Sequence, residues 1–188
     1  MVIVISAPSG SGKTTLINRL LSSSRRYVKS VSVTTRPPRR GETDGVDYFF
    51  MTEKEFLRLR DNGGFLEWAV VLGRHYGTPA SFVENALAEG KDVILNIDVR
   101  GAMKVRKMKR MRSVFIFVKP PSEKALKERL KGRKTDSAEE IRRRIELSKK
   151  EMAYADRYDY IVVNRTIDES IKKIKSIIAK GKNGGKCV

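Results

Sequence analysis

The most constraining stretch of the chain lies within its first fifteen residues. Val2-Ile3-Val4-Ile5 is an unbroken β-branched run, of the kind that forms a strand buried on both faces of a parallel sheet. Ser6-Ala7-Pro8-Ser9-Gly10-Ser11-Gly12 follows and is too rich in turn residues to continue it. Residues 13–21 then set Leu16, Ile17, Leu20 and Leu21 on one helical face. Across this strand, loop and helix, Ala7 to Thr14 matches the phosphate-loop pattern G-x-x-x-x-G-K-[ST], with Ala in place of the first Gly. The spacing has a mechanism. Successive N–H groups of a glycine-rich loop converge on phosphate oxygens, and the positive end of the following helix adds to their field. Ser9, Gly10, Ser11, Gly12 and Thr15 are the candidate cradle. Lys13 would reach the β- and γ-phosphates, and Thr14 would offer a hydroxyl to Mg²⁺ carried by ATP. A turn and helix cap alone would explain the Gly and Ser but not the Lys-Thr ending after a buried strand. Ala7 implies that its position needs no positive φ.

A buried first strand needs neighbours. Further apolar strands are expected at 91–97, 113–118 and 158–163, with helices between them and a last helix at 168–180. Strands alternating with helices predict an α/β fold with a central parallel sheet flanked by helices. Two stretches break the alternation. Residues 32–90 read as a mixed insertion: a Pro-Pro-Gly loop at 36–41, strands at 46–51 and 65–72, and helices at 53–61 and 79–90. Thr52 and Glu55 form an S/T-x-x-E capping box for the first of these helices. Residues 121–153 read as all helical and strongly basic, with Ser122 capping one helix and Asp136 or Ser137 the next. The end of the chain, 181–188, is expected to be a disordered tail.

The length of 188 residues suits one domain with insertions. A formal net charge of +18 favours an anionic partner, and most of the excess lies between Arg100 and Lys150. No RNA- or DNA-binding signature accompanies it, so weak, salt-dependent nucleic-acid binding is the most that the charge predicts. The single Cys187 excludes an internal disulfide or a cysteine-based zinc site. No apolar run approaches the roughly 18 residues of a membrane span. A cytoplasmic protein is expected. Asp98 follows the strand at 91–97, where a carboxylate of a parallel strand points into the ligand crevice; it could orient Mg²⁺ through water or touch a second substrate, and a cap for a helix from Arg100 onward is compatible with either. His75 is not expected to act as a catalytic base.

Further segments join the phosphate loop: Ser30-Val-Ser-Val-Thr-Thr-Arg-Pro-Pro-Arg39, Gly41-Glu42, Gly45-Val-Asp-Tyr48, Phe65-Leu-Glu67-Trp-Ala, Tyr76-Gly77-Thr78 and Asp98-Val-Arg-Gly-Ala. Together they resemble guanylate kinase from residue 2 to about residue 165. The resemblance implies a P-loop kinase with three parts. These are a core (1–31, 91–120 and 154–180), a GMP-binding insertion (32–90) and a helical lid (121–153). It implies phosphoryl transfer from ATP to GMP, with Mg²⁺ arriving with ATP. Arg36, Arg39, Tyr48 and Tyr76 would hold the GMP phosphate. Glu67 would take the guanine N1–H and N2 amino group, with Ser32, Thr78 and Asp98 around the base. Arg129, Arg133 and Arg144 would be lid arginines on the ATP phosphates, whereas Arg142 and Arg143 read as solvated helix charges. The catalytic set would be Lys13, Arg36, Arg133 and Arg144. Lys134 stands where the family usually has glycine, which could stiffen the lid turn.

Other readings differ in class. Guanylate-kinase-like modules of scaffold proteins bind peptides and usually lack an intact phosphate loop, whereas Gly10, Gly12, Lys13 and Thr14 are all present here. A kinase for a phosphorylated sugar would have no use for Glu67 and Ser32, because a sugar phosphate offers no guanine edge.

Overall fold

The computed structural model describes residues 1–71, 73–108, 111–131 and 138–182. Its strands and helices are β1 (Val2–Ser6), α1 (Lys13–Leu21), β2 (Tyr27–Lys29), β3 (Ser32–Thr34), β4 (Tyr48–Phe50), α2 (Glu53–Asp61), β5 (Phe65–Val71) and β6 (Arg74–Pro79). There follow α3 (Ala80–Ala88), β7 (Asp92–Asn96), α4 (Val99–Lys107), β8 (Ser113–Lys119), α5 (Glu123–Lys131), α6 (Ala138–Met152), β9 (Tyr160–Val163) and α7 (Ile167–Lys182). None of the described helices is long and apolar enough to cross a membrane.

The central sheet is parallel throughout, in the order β2-β7-β1-β8-β9. β1 is buried along its whole length because it lies between two neighbours and under helices on both faces. Successive side chains of a strand point to opposite faces. Ile3 and Ile5 accordingly pack with Leu16, Ile17 and Leu20 of α1 and Ile174 and Ile178 of α7. Val2 and Val4 pack on the other face with Val83 of α3 and Ala102 and Val105 of α4. The expected apolar strands are all present. The sequence reading missed β2, a fifth strand at the sheet edge, because three half-buried residues carry no apolar run.

A second, four-stranded sheet runs β4-β3-β6-β5, with β3–β6 and β5–β6 antiparallel and β3–β4 parallel. Two of its strands escaped the sequence reading. β6 reads Arg-His-Tyr-Gly-Thr-Pro, a composition that strands disfavour, and Gly73-Arg74 looked like a turn. It is a strand because β3 and β5 pair with it from both sides. The strand expected at 46–51 is shorter, since Val46 and Asp47 turn back onto Thr43 through N–H bonds of 3.2 and 3.0 Å.

The helix signals resolve locally. Thr52 accepts the Glu55 N–H at 3.3 Å, and Glu55 takes the Thr52 N–H at 2.8 Å, which completes the capping box. Ser122 Oγ accepts the Ala125 N–H at 3.1 Å at the start of α5. The Asp136 and Ser137 caps lie outside the described residues. The last helix extends past its expected end to Lys182, with Gly181 buried, so these two residues do not belong to a tail.

Parallel register determines where ligands meet this fold. Val4 pairs with Leu95 and Ile5 with Asn96, so the loops after β1 and β7 leave the same edge side by side. Ser6 Oγ ties them together through a 2.9 Å bond to the Ile97 carbonyl. Replacing Thr52 by Ala removes a cap distant from this edge. Urea denaturation should show a loss of about 1 kcal/mol, with an unchanged m-value.

Candidate active site

The phosphate loop closes around Gly10 and Gly12, whose φ angles are +85° and +84°. Both are glycine for two reasons. A side chain is strained at such φ values, and there is no room: a Cβ on Gly12 would sit 2.6 Å from Asn164 Nδ2, and one on Gly10 3.0 Å from Leu130 Cδ2. Gly12 caps α1 in the left-handed conformation without a side-chain bond, and the first intrahelical donor is the Leu16 N–H. The N–H groups just before it are left to a ligand.

Lys13 stands at the floor of this loop, with Nζ 3.5 Å from the Ile97 carbonyl. Burial pushes its pKa down, and the carboxylates of Glu151 and Asp98 push it back up. Glu151 is itself pushed up by burial and drawn down by Lys13 and the Ser9 N–H. Sequence reasoning missed Glu151, because one acid in a charged helix carries no signal of its own. Thr14 and Thr15 are exposed at the start of α1.

The basic helices reach the loop through particular arginines. Arg144 Nη1 lies 3.2 Å from Ser9 Oγ. Arg129 reaches the Ser11 carbonyl at 3.4 Å and the Asn164 carbonyl at 3.1 Å. Arg143 instead pairs with Glu139 at 2.6 Å along the exposed face of α6. Arg133 and Lys134 lie outside the described residues. A cavity of about 380 Å³ opens beside the loop, lined by Gly10, Gly12, Thr15, Arg129, Asn164 and Arg165. Asn164 was also missed. Its place just past the C-terminal end of a parallel strand was the available signal.

A second cavity, of about 230 Å³, lies between the two sheets. Ser32, Tyr48, Glu67, Tyr76 and Asp98 line it together with Asn96. Glu67 is no outward strand residue: it is 7% exposed, and its Oε1 accepts the Thr78 hydroxyl at 2.6 Å. Burial and the nearby Asp98 raise its pKa to about 7, against the lowering effects of Thr78 and Lys104. Asp98 has two roles, since its Oδ1 also caps α4 by accepting the Gly101 N–H at 2.7 Å. Gly101 was not singled out from the sequence, yet a Cβ there would meet Glu67 Oε2 at 2.6 Å. Its bare backbone is what makes room for the carboxylate.

Tyr48 and Tyr76 meet edge-on at 6.0 Å over the cavity mouth. Arg36 lies 5.4 Å over the Tyr48 ring and pairs with Glu42 at 2.8 Å. Glu42 also takes the Arg39 N–H at 2.7 Å, so one acid orders the Pro-rich loop. The Arg39 residue is exposed, and the structure does not bring it into the cavity. His75 lies next to Phe56 at 5.0 Å and faces Glu53.

A phosphate loop at the C-terminal edge of a parallel sheet, roofed by arginine-bearing helices and facing a cavity on a second sheet, defines a P-loop nucleotide kinase. The family model described as guanylate kinase matches residues 1–181. The guanylate kinase of Wolbachia sp. subsp. Brugia malayi is 47% identical over 180 residues, 96% of this chain and 92% of that one. That of Thermotoga maritima is 48% identical over 177 residues, 94% and 85% of the two chains. The crystal structure of guanylate kinase from Anaplasma phagocytophilum covers 100% of this chain and 88% of its own, at 36% identity and a TM-score of 0.79. The chain belongs to the guanylate kinase family.

The raised pKa of Glu67 has a consequence for stability. An acid whose pKa is higher in the folded state favours folding while protonated, and loses that contribution as pH rises through about 7. Glu67→Gln keeps an acceptor for Thr78 without the buried charge. In the unliganded protein it should raise unfolding stability above pH 7 by up to about 3 kcal/mol, with little gain at pH 5. Denaturant titrations at the two pH values check this.

Proposed function

We propose that the protein transfers the γ-phosphoryl group of ATP to GMP, giving ADP and GDP, and that Glu67 selects the guanine. The observation that carries this reading is a buried carboxylate in the second cavity, held among the described residues by a hydrogen bond from Thr78 to Oε1. Guanine offers adjacent donors at N1 and N2, and a carboxylate accepts both. Adenine has an acceptor at N1 and no N2 amino group, so it would leave the buried charge unpaired. Ser32, Thr78 and Asp98 would complete the base pocket. Arg36, Arg39, Tyr48 and Tyr76 would hold the monophosphate, the arginines through their planar forks. Arg39 has to swing inward from its exposed position to do so.

In this reading residues 32–90 form the GMP-binding part and 121–153 the lid. The ATP phosphates lie on the N–H groups and side chains of residues 9–15. Phosphoryl transfer needs positioning and charge stabilisation more than covalent chemistry. The attacking oxygen of GMP is already anionic, so no strong general base is required. Lys13 neutralises charge on the transferring group from below the loop, and Arg144 and Arg129 do so from α6 and α5, joined by Arg133. With these helices closed, water is kept from the γ-phosphate. Thr14 offers a hard oxygen donor at the start of α1, and no cluster of His, Cys, Asp or Glu among the described residues could hold a metal by itself. A lone hydroxyl fits Mg²⁺ that arrives with the triphosphate: Thr14 would help to hold it, and the ion would offset negative charge on the phosphates.

A coupled ADP-release assay with ATP and Mg²⁺ tests the reading. Turnover is expected with GMP and little with IMP or AMP; a folded protein that turns over none of them would overturn it. Glu67→Gln should lose about 100-fold in kcat/KM for GMP, equivalent to about 3 kcal/mol. Only the ionised carboxylate accepts both guanine donors, so GMP affinity should fall as pH drops below about 7. Calorimetric titration of GMP across that range should show this dependence in the native protein and lose it in Glu67→Gln.

A further inference from the structure

Asn164 follows β9 and is 1% exposed, yet its polar groups are all engaged. Its N–H donates to the Lys119 carbonyl at 2.8 Å, and its own carbonyl accepts Arg129 Nη2 at 3.1 Å. Nδ2 donates to the Ser11 carbonyl at 2.7 Å, and Oδ1 accepts the hydroxyl of Ser170, 2% exposed, at 3.0 Å. Chemistry dictates this orientation of the amide. A carbonyl can only accept, so the group that faces Ser11 O is the NH₂.

Holding the Ser11 carbonyl orients the next peptide group as well. In a trans peptide the C=O and the following N–H point in opposite directions. With the Ser11 carbonyl turned to Asn164, the Gly12 N–H is turned away from it. Gly12 is left-handed, with φ 84° and ψ 17°, and Lys13 is the first residue of α1. A left-handed residue beside a helical one brings successive N–H groups into one anion-binding concavity. The Asn164 amide also packs on Gly12 itself, where it leaves no space for a Cβ.

We infer that Asn164 is a positioning residue for the phosphate loop: held by Ser170, it fixes the Ser11–Gly12 peptide so that the Gly12 N–H faces the nucleotide phosphates. The inference rests on the reading of the loop as the ATP site. Asn164→Asp keeps the shape and the acceptor for Ser170 but replaces the donor to Ser11 by an acceptor, and its charge draws Arg129 off the loop. Ser170→Ala leaves Asn164 in place and frees its amide to turn, and Ser170 does not line the cavity beside the loop.

Calorimetric titrations of ADP with Mg²⁺ and, separately, of GMP test this on the whole chain. Native protein that binds neither nucleotide would defeat the reading of the site itself. Given native binding of both, Asn164→Asp should weaken ADP at least tenfold and Ser170→Ala about threefold, with GMP within twofold in each. Unchanged ADP affinity in both variants, or equal losses for ADP and GMP, would overturn the inference. So would native ADP affinity in Ser170→Ala beside a loss in Asn164→Asp, since Asn164 would then act by contact with the ligand and not through the loop. If Asn164→Asp does not fold, Ser170→Ala decides by the same ADP-against-GMP criterion.

Discussion

The burial of β1 between β7 and β8 is the constraint on which the rest of the molecule depends. A strand hydrogen-bonded on both edges and covered on both faces leaves the chain one exit, the C-terminal edge of the sheet. The segment that leaves there satisfies only part of its own N–H groups, such as that of Ser11 on the Pro8 carbonyl at 3.1 Å, because it must turn at once into α1. Gly10 and Gly12 supply the left-handed turns, and the helix-end N–H groups that follow have the geometry that suits an anion. The register of β1 with β7 then sets Asp98 beside the loop, and β8 leads into α5, whose Arg129 returns to it.

The charged groups of the site are kept under tension by burial. Lys13 is pushed toward neutrality and Glu67 toward protonation, because each is removed from water with incomplete compensation. A chain selected for stability alone would place apolar residues at such positions. In the function proposed above, each charge has a ligand suited to it: phosphate oxygens for Lys13 and guanine donors for Glu67. The supporting contacts are arranged accordingly. Thr78 holds the Glu67 carboxylate in the space that the bare Gly101 leaves, and Glu151 and Asp98 oppose the effect of burial on Lys13.

Much of this was legible in the sequence. Strong local signals transferred directly: the apolar strands, the span of α1, the Thr52–Glu55 capping box and the cap at Ser122. β2, β3 and β6 were not legible, since short or polar strands exist only through the partners beside them. Ser32, Tyr48, Glu67, Tyr76 and Asp98 could be named from motifs, and they come from β3, β4, β5, β6 and the end of β7 to line one cavity. The importance of Glu151, Asn164 and Gly101 was not legible, although Gly101 lies within a quoted motif and Asn164 just past a strand, because it rests on contacts with residues far away in the chain.

By itself, then, the sequence determined the local elements whose signals act within a few residues: buried β-branched runs, glycine turns, caps and the Lys-Thr end of the phosphate loop. Hydrophobic periodicity and backbone sterics suffice for these. The tertiary structure alone decided which side chains became buried charges, which glycines were needed for a neighbour's sake, and which distant amide holds the phosphate loop. Desolvation and hydrogen bonding across the chain arise only once the sheets and helices have packed, so no reading of adjacent residues could contain them.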